Sequence, residues 1–305
     1  MKLKGKKFWL FAVNSLLLVV AFYFLFTHMN MKLSDIWRFL LNANRWFYLS
    51  LIVFTIFLVM QAWNWVQILN HPGRLIAQTR GLLIYINSQF AKYIPGGVWN
   101  YVGRVYMTSQ AGVAIPHQML TLFYENVLLV LAAAVYAVYL LYLLNMLTLT
   151  GLILSAAAFV LFYIFYTPLT GWTEKQLRRF KKFKNLQLSL PRKSFFTFLG
   201  YFLVSHFIMG LAYWMLLKSF GLQDVSLFYA AGTFALAWLV GLMSPLPGGI
   251  GVREGFLIYL LQFQVPLDLA TQISIITRIW NIISELLFFI LMNGFALLKK
   301  GWKQI

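Results

Sequence analysis

Cysteine is absent from this 305-residue sequence, which excludes disulfide frameworks, thiolate metal sites and thiol nucleophiles. Charge is scarce: 10% of residues are Asp, Glu, Lys or Arg, where a soluble domain carries about 25%. Acids are scarcer still, seven against 25 Lys and Arg. The four histidines, His28, His71, His117 and His206, are scattered without metal-ligand spacing and read as interfacial or packing groups. No phosphate loop of the GxxxxGK[ST] type occurs, nor an Asp-rich metal motif or a cluster of His and Asp. ATPase machinery, a metal and a cofactor are therefore not expected, and an enzyme is not the first reading.

What fills the sequence instead is apolar: 61% hydrophobic residues and a mean hydropathy of +0.76. Too little polar side chain remains to cover a water-exposed globule, so the expected class is an all-α polytopic membrane protein, a single integral membrane domain over 1–305. A hydrocarbon core of about 30 Å needs roughly 20 apolar residues per crossing. Runs of that kind cover about 8–26, 47–69, 118–144, 149–167, 194–217 and 270–298. The first resembles a signal peptide but is too long and lacks a small-residue cleavage site, so it reads as a retained helix. Two further apolar stretches, about 81–94 and 226–244, each end at a Pro-Gly-Gly break.

Basic residues orient these spans, because cytoplasmic flanks carry the excess of Lys and Arg. Four lysines precede the first run, eight basic residues lie in 171–193, three close the C-terminus, and Arg74 and Arg80 follow the second run. Placing all of these inside makes 17 of the 25 cytoplasmic, with both termini inside. The net charge of +18 is thus topological, and nucleic acid is not an expected partner. The basic loop at about 168–193 is a solvated anchor or, additionally, a gathering point for anionic lipid. By parity, 81–117 must leave and return on the cytoplasmic side, and 226–267 on the outer side. Both are expected to be re-entrant hairpins, leaving about six full crossings.

The two breaks form an internal repeat. Pro95-Gly96-Gly97-Val98 and Pro247-Gly248-Gly249-Ile250 match at an offset of 152 residues, half the chain. Each is followed by an arginine, Arg104 or Arg253, and then by a long helix bearing ionisable residues. The copies, about 47–144 and 194–298, run in opposite directions, an inverted-topology repeat of the kind that builds secondary transporters. Proline ends an entering helix and paired glycines permit a tight tip. Helix starts emerging from such tips turn their positive ends toward an anion. Simple kinked helices are the alternative.

Charges at membrane depth are candidate functional groups by default. Glu125, Glu254 and Glu285 are the acids there, and Arg104, Arg253 and Arg278 the guanidiniums. Arg278 and Glu285 share a helix face but stand about 10.5 Å apart, so partners are expected from the opposite copy: Glu125 with Arg253 or Arg278, Glu285 with Arg104. Guanidiniums suit phosphate and carboxylates an amine, so a zwitterionic or amine-bearing headgroup would fit. Ion pairs that merely fix packing are the other reading. Lys92 either adds a phosphate contact or snorkels to the interface. Trp99, Asn100, Tyr101 and Tyr106 follow the first tip and could line a cavity with it. Glu125 and Glu285 are candidates for a proton-coupling step.

The stretch KYIPGGVWNYVGR at 92–104, Glu125, and SPLPGGIGVREG at 244–255 resemble the integral membrane domain of lysylphosphatidylglycerol synthase/flippase proteins, the multiple peptide resistance factor type. The resemblance covers nearly the whole chain and implies lipid translocation in a bacterial or archaeal plasma membrane. Arg104, Glu125, Arg253 and Glu254 match the family's polar motif positions. Two-part relatives continue into a soluble aminoacyl-transferase domain, whereas this sequence stops at Ile305, so a stand-alone member is expected and synthesis of aminoacyl lipid is not. The expected activity is movement of a phospholipid or other lipid phosphate between leaflets. An intramembrane enzyme acting on lipid-phosphate or polyprenyl-linked substrates, a small-solute transporter and a scaffold are the competing readings.

Overall fold

The computed structural model describes residues 37–38, 40–93, 98–177, 179, 189–244, 249 and 251–301. Nine helices of ten or more residues account for most of them: α1 (Arg45–Leu69), α2 (Gln78–Gln89), α3 (Trp99–Ser109), α4 (Ile115–Leu143), α5 (Leu149–Leu177), α6 (Arg192–Ser219), α7 (Leu227–Met243), α8 (Val252–Leu261) and α9 (Leu267–Gly301). A 3-10 turn at Phe90–Tyr93 extends α2. No strand occurs among the described residues. Five helices, α1, α4, α5, α6 and α9, are long and apolar enough to cross a bilayer, and they fall on five of the six expected runs. The sixth, 8–26, lies outside the described residues, as do Pro95, Gly96, Gly97, Pro247 and Gly248.

The helix limits follow from local chemistry. Asn44 opens α1: its Oδ1 accepts from Trp46 N at 3.0 Å and Phe47 N at 3.4 Å, capping amides that no helical carbonyl reaches. Its Nδ2 donates to the Ser219 carbonyl at 2.9 Å and so ties the start of α1 to the end of α6. Past α1, the Asn70 side chain accepts from Leu75 N and Ile76 N and closes the turn into α2. Ser226 caps α7 by accepting from Tyr229 N at 3.2 Å. At α8 the Gly251 amide donates to Glu254 Oε2 at 2.7 Å, half of a capping box.

Two runs of four helices share one order of lengths. α1 to α4 measure 25, 12, 11 and 29 residues, and α6 to α9 measure 28, 17, 10 and 35. At 1.5 Å per residue the longest of the four short helices, α7 with 17 residues, rises only about 25 Å, short of a hydrocarbon core of about 30 Å. Packing repeats as well: α2 lies on α3 and α7 on α8, α1 touches α9 as α6 touches α4, and α2 touches α9 as α7 touches α4. The α1–α4 contact has no counterpart of similar extent. At the centre α1 packs along α6. Trp280 of α9 stacks on Phe54 with ring centroids 4.1 Å apart and donates Nε1–H to Ser50 Oγ at 2.9 Å.

Small residues allow the closest approaches, as helix packing in lipid requires. A Cβ on Gly232 of α7 would sit 2.5 Å from Leu140 Cβ and 2.8 Å from the Tyr136 carbonyl of α4. Gly249, at φ +68°, adopts a backbone that L side chains rarely take, and a Cβ there would lie 2.8 Å from the Gly241 carbonyl. The chain leaving the second break therefore turns back against the end of α7. α5 stays apart from this core, with 6% of its apolar window buried against 50% for α1.

Candidate functional site

Among the described residues, three ion pairs lie between the apolar helices. Arg104 of α3 reaches both carboxylate oxygens of Glu125 on α4, at 2.9 and 2.7 Å, and each residue is only 2% exposed. The guanidinium also faces aromatic rings, 3.9 Å from the centroid of Tyr85 and 5.2 Å from that of Trp65. Glu254 of α8 stands 3.3 Å from Arg278 of α9 while its other oxygen caps α8. Lys92, on the 3-10 turn after α2, pairs with Glu285 of α9.

Two of these pairs occupy matching places with their charges exchanged. In the first run the short returning helix supplies the cation and the long helix the acid; in the second the order is reversed. Both hold a hairpin to the long helix that follows it. Lys92–Glu285 differs, because it joins the first run to the second. The expected partners are accordingly corrected. Glu125 pairs with Arg104 rather than with Arg253 or Arg278, and Glu285 with Lys92 rather than Arg104. The reason is which helices pack: α3 lies on α4 and so brings Arg104 to Glu125, whereas α2 lies on α9 and brings Lys92 to Glu285.

These groups surround one cavity of about 460 Å³. Arg104, Glu125, Arg253, Arg278, Glu285 and Lys92 contribute to its wall, together with Asn100, Tyr101 and Gly249. Glu254 joins it only through Arg278. The Arg253 guanidinium lies 4.7 Å from the centroid of Phe234 on the same wall. Trp99 and Tyr106, expected to line the cavity, turn outward and are 44% and 48% exposed. Helical spacing explains this: Asn100, Arg104 and Thr108 recur every four residues on the buried face of α3, which leaves 99, 102 and 106 on the other.

Among the wall residues that the sequence reading missed are Gln61 of α1, Gln89 of α2, His206 of α6 and Asn281 of α9. Gln61 had a signal, an amide inside the apolar run 47–69. His206 donates Nδ1–H to the Phe202 carbonyl at 2.9 Å and packs against the rings of Phe57, Tyr136 and Trp238. No group of three or more His, Cys, Asp or Glu that could hold a metal ion occurs among the described residues.

Residues 12–288 match the family described as the lysylphosphatidylglycerol synthase TM region. The chain belongs to that family. No curated protein and no solved structure matches it. As a lysylphosphatidylglycerol synthase TM region it is a membrane-embedded, multi-pass helical protein whose function relates to membrane lipids. The match takes in the first four-helix run and the second as far as residue 288 in α9, so every wall residue named above lies within the family's own extent.

Proposed function

We propose that the protein moves a lipid phosphate between the leaflets of a prokaryotic plasma membrane, as a translocase rather than an enzyme. The observation that carries this reading is the cavity of about 460 Å³, walled by both four-helix runs and edged by three ion pairs. Ionised groups at such depth are retained where a polar species passes. In this reading α2–α3 and α7–α8 are re-entrant hairpins entering from opposite sides, the first from the cytoplasm, with both termini cytoplasmic. The basic stretch 168–193 gathers anionic lipid at that face. Of it, Lys175, Arg179, Arg192 and Lys193 are described, and Arg192 lies over the Tyr163 ring.

The mechanism follows from which pairs stay within a run. Arg104–Glu125 and Glu254–Arg278 keep each hairpin fixed to its long helix. Lys92–Glu285 closes one run on the other. A phosphate entering the cavity substitutes for the Glu285 carboxylate on Lys92, one anion exchanged for another, so the ammonium is never left bare. With Glu285 released, the runs part on the far side while the acyl tails remain in lipid. Transport is then driven by the lipid gradient, without nucleotide hydrolysis.

Proteoliposomes containing tail-labelled phospholipid, with the label in the outer leaflet quenched by dithionite, test this. Unchanged lipid should become accessible faster than in empty vesicles. A rate no higher than that of empty vesicles overturns the reading. A chemically new lipid, with no movement of the old one, supports an enzyme instead.

A further inference from the structure

The wall of the cavity carries hydrogen-bonding capacity that the protein itself does not use. Gln61 is 5% exposed, and neither its Oε1 nor its Nε2 meets a hydrogen-bond partner among the described residues. Asn100 is 9% exposed and its Oδ1 is in the same position, as is Oε1 of Gln89. All three side chains line the cavity, from α1, α3 and α2. His206 adds a fourth group. With its Nδ1 proton committed to Phe202, the neutral ring presents Nε2 as an acceptor. Buried polar groups in native structures are nearly always paired, so this concentration beside a cavity marks groups that await a ligand.

Their chemistry selects what that ligand is. The unpartnered atoms are Oε1 and Nε2 of Gln61, Oε1 of Gln89, Oδ1 of Asn100 and the His206 acceptor; a hydroxyl both donates and accepts, so a polyol can meet all of them. An ammonium only donates, and it needs a counter-charge when desolvated. Each of the three carboxylates already faces a cation: Glu125 has Arg104, Glu254 has Arg278 and Glu285 has Lys92. Four basic side chains therefore stand with three acids around the site, which disfavours a further cation and favours an anion. The amine-bearing headgroup expected from the count of acids loses its partner once these pairs are seen.

We propose that the cavity recognises a phosphate whose attached group presents hydroxyls and carries no amine, as in a glycerol or inositol phospholipid headgroup. The basic residues hold the phosphate; Gln61, Gln89, Asn100 and His206 hold the hydroxyls. This rests on the lipid-translocase reading for its source of ligand, and the test separates the two. Native mass spectrometry of the full chain, with phosphatidylinositol, phosphatidylmethanol and phosphatidylethanolamine in competition, reads binding. The dithionite assay reads movement of the same three lipids.

Phosphatidylinositol should bind about tenfold tighter than phosphatidylmethanol, which has the same charge and no hydroxyl, and phosphatidylethanolamine should bind weakest. Gln61→Met with Asn100→Leu should erase the preference and leave phosphatidylmethanol binding unchanged. The same variant, tested without lipid, should melt no lower than the wild type, because it removes buried amides that lack partners. A lower melting temperature, or an equal loss for all three lipids, would show that the amides are structural and overturn the proposal. Equal wild-type affinity for phosphatidylinositol and phosphatidylmethanol, or preference for the amine, overturns it, and movement in the dithionite assay then still sustains the translocase. Selective binding without movement sustains the proposal and overturns the translocase. Soluble inositol phosphate competing as well as the lipid keeps the recognised chemistry but transfers its source from lipid to solute.

Discussion

Joining α2 covalently to α9 is expected to stop lipid movement reversibly. Asn293 Nδ2 of α9 donates to Asn87 Oδ1 of α2 at 3.2 Å, on the same contact between runs that carries Lys92–Glu285 but away from the cavity wall. The chain contains no cysteine, so Asn87→Cys with Asn293→Cys introduces the only thiols. Before bridging, the pair should transport normally, because a partly buried amide contact contributes little beyond about 1 kcal/mol. After a short bifunctional thiol reagent joins them, the rate should fall by about tenfold or more, since gating motion of this kind limits turnover. Cleaving the bridge should restore it. A bridged protein that transports at the unbridged rate would mean that α2 and α9 never separate, and the substitution of phosphate for Glu285 would then have no route.

Arg104→Ala should be the most destabilising single substitution at the cavity, by about 3–5 kcal/mol, because it leaves the Glu125 charge buried and uncompensated. It also removes the cation from the Tyr85 and Trp65 rings. Arg104→Met combined with Glu125→Leu removes both charges at nearly constant volume and should recover most of that stability, as buried pairs exchanged for apolar groups commonly do. Lipid movement should not return in the double variant, since the cavity then lacks one of its three guanidiniums, Arg253 and Arg278 alone remaining. Thermal unfolding in detergent, paired with the dithionite assay, reads both. A loss under about 1 kcal/mol for Arg104→Ala would be the behaviour of a solvated surface pair. Full recovery of transport in the double variant would reduce Arg104 and Glu125 to packing groups.

Much of the fold could be read from the sequence because the bilayer imposes it. Length and hydropathy alone locate α1, α4, α5, α6 and α9, and Pro-Gly-Gly marks where the short helices are interrupted. Partner choice was not legible. Nothing in the spacing of Lys92 and Glu285, 193 residues apart, says that α2 packs on α9, and that contact decides both pairs. Lys92 offered two readings, phosphate contact or snorkelling; its pairing with Glu285, buried at 2%, draws it toward the cavity and away from the second. Trp99 and Tyr106 failed for a different reason. Their proximity in sequence to the first break said nothing about helix phase, and α3 turns its polar face, not its aromatic one, toward the cavity. The amides escaped notice because a single Gln in an apolar run looks like noise until its side chain is seen without a partner.

Sidedness of the hairpin ends tests the central claim most directly. Leu75 and Ala114 flank α2–α3, Gln223 and Gln264 flank α7–α8, and all four are exposed. Each can carry a lone cysteine in this cysteine-free chain and be treated with a membrane-impermeant thiol reagent in right-side-out and inverted vesicles. The account predicts that Leu75→Cys and Ala114→Cys react only from the cytoplasmic face, and Gln223→Cys and Gln264→Cys only from the outer face. Reaction of Leu75→Cys and Ala114→Cys from opposite faces would make α2–α3 a crossing, and the two-sided cavity on which lipid passage depends would not exist.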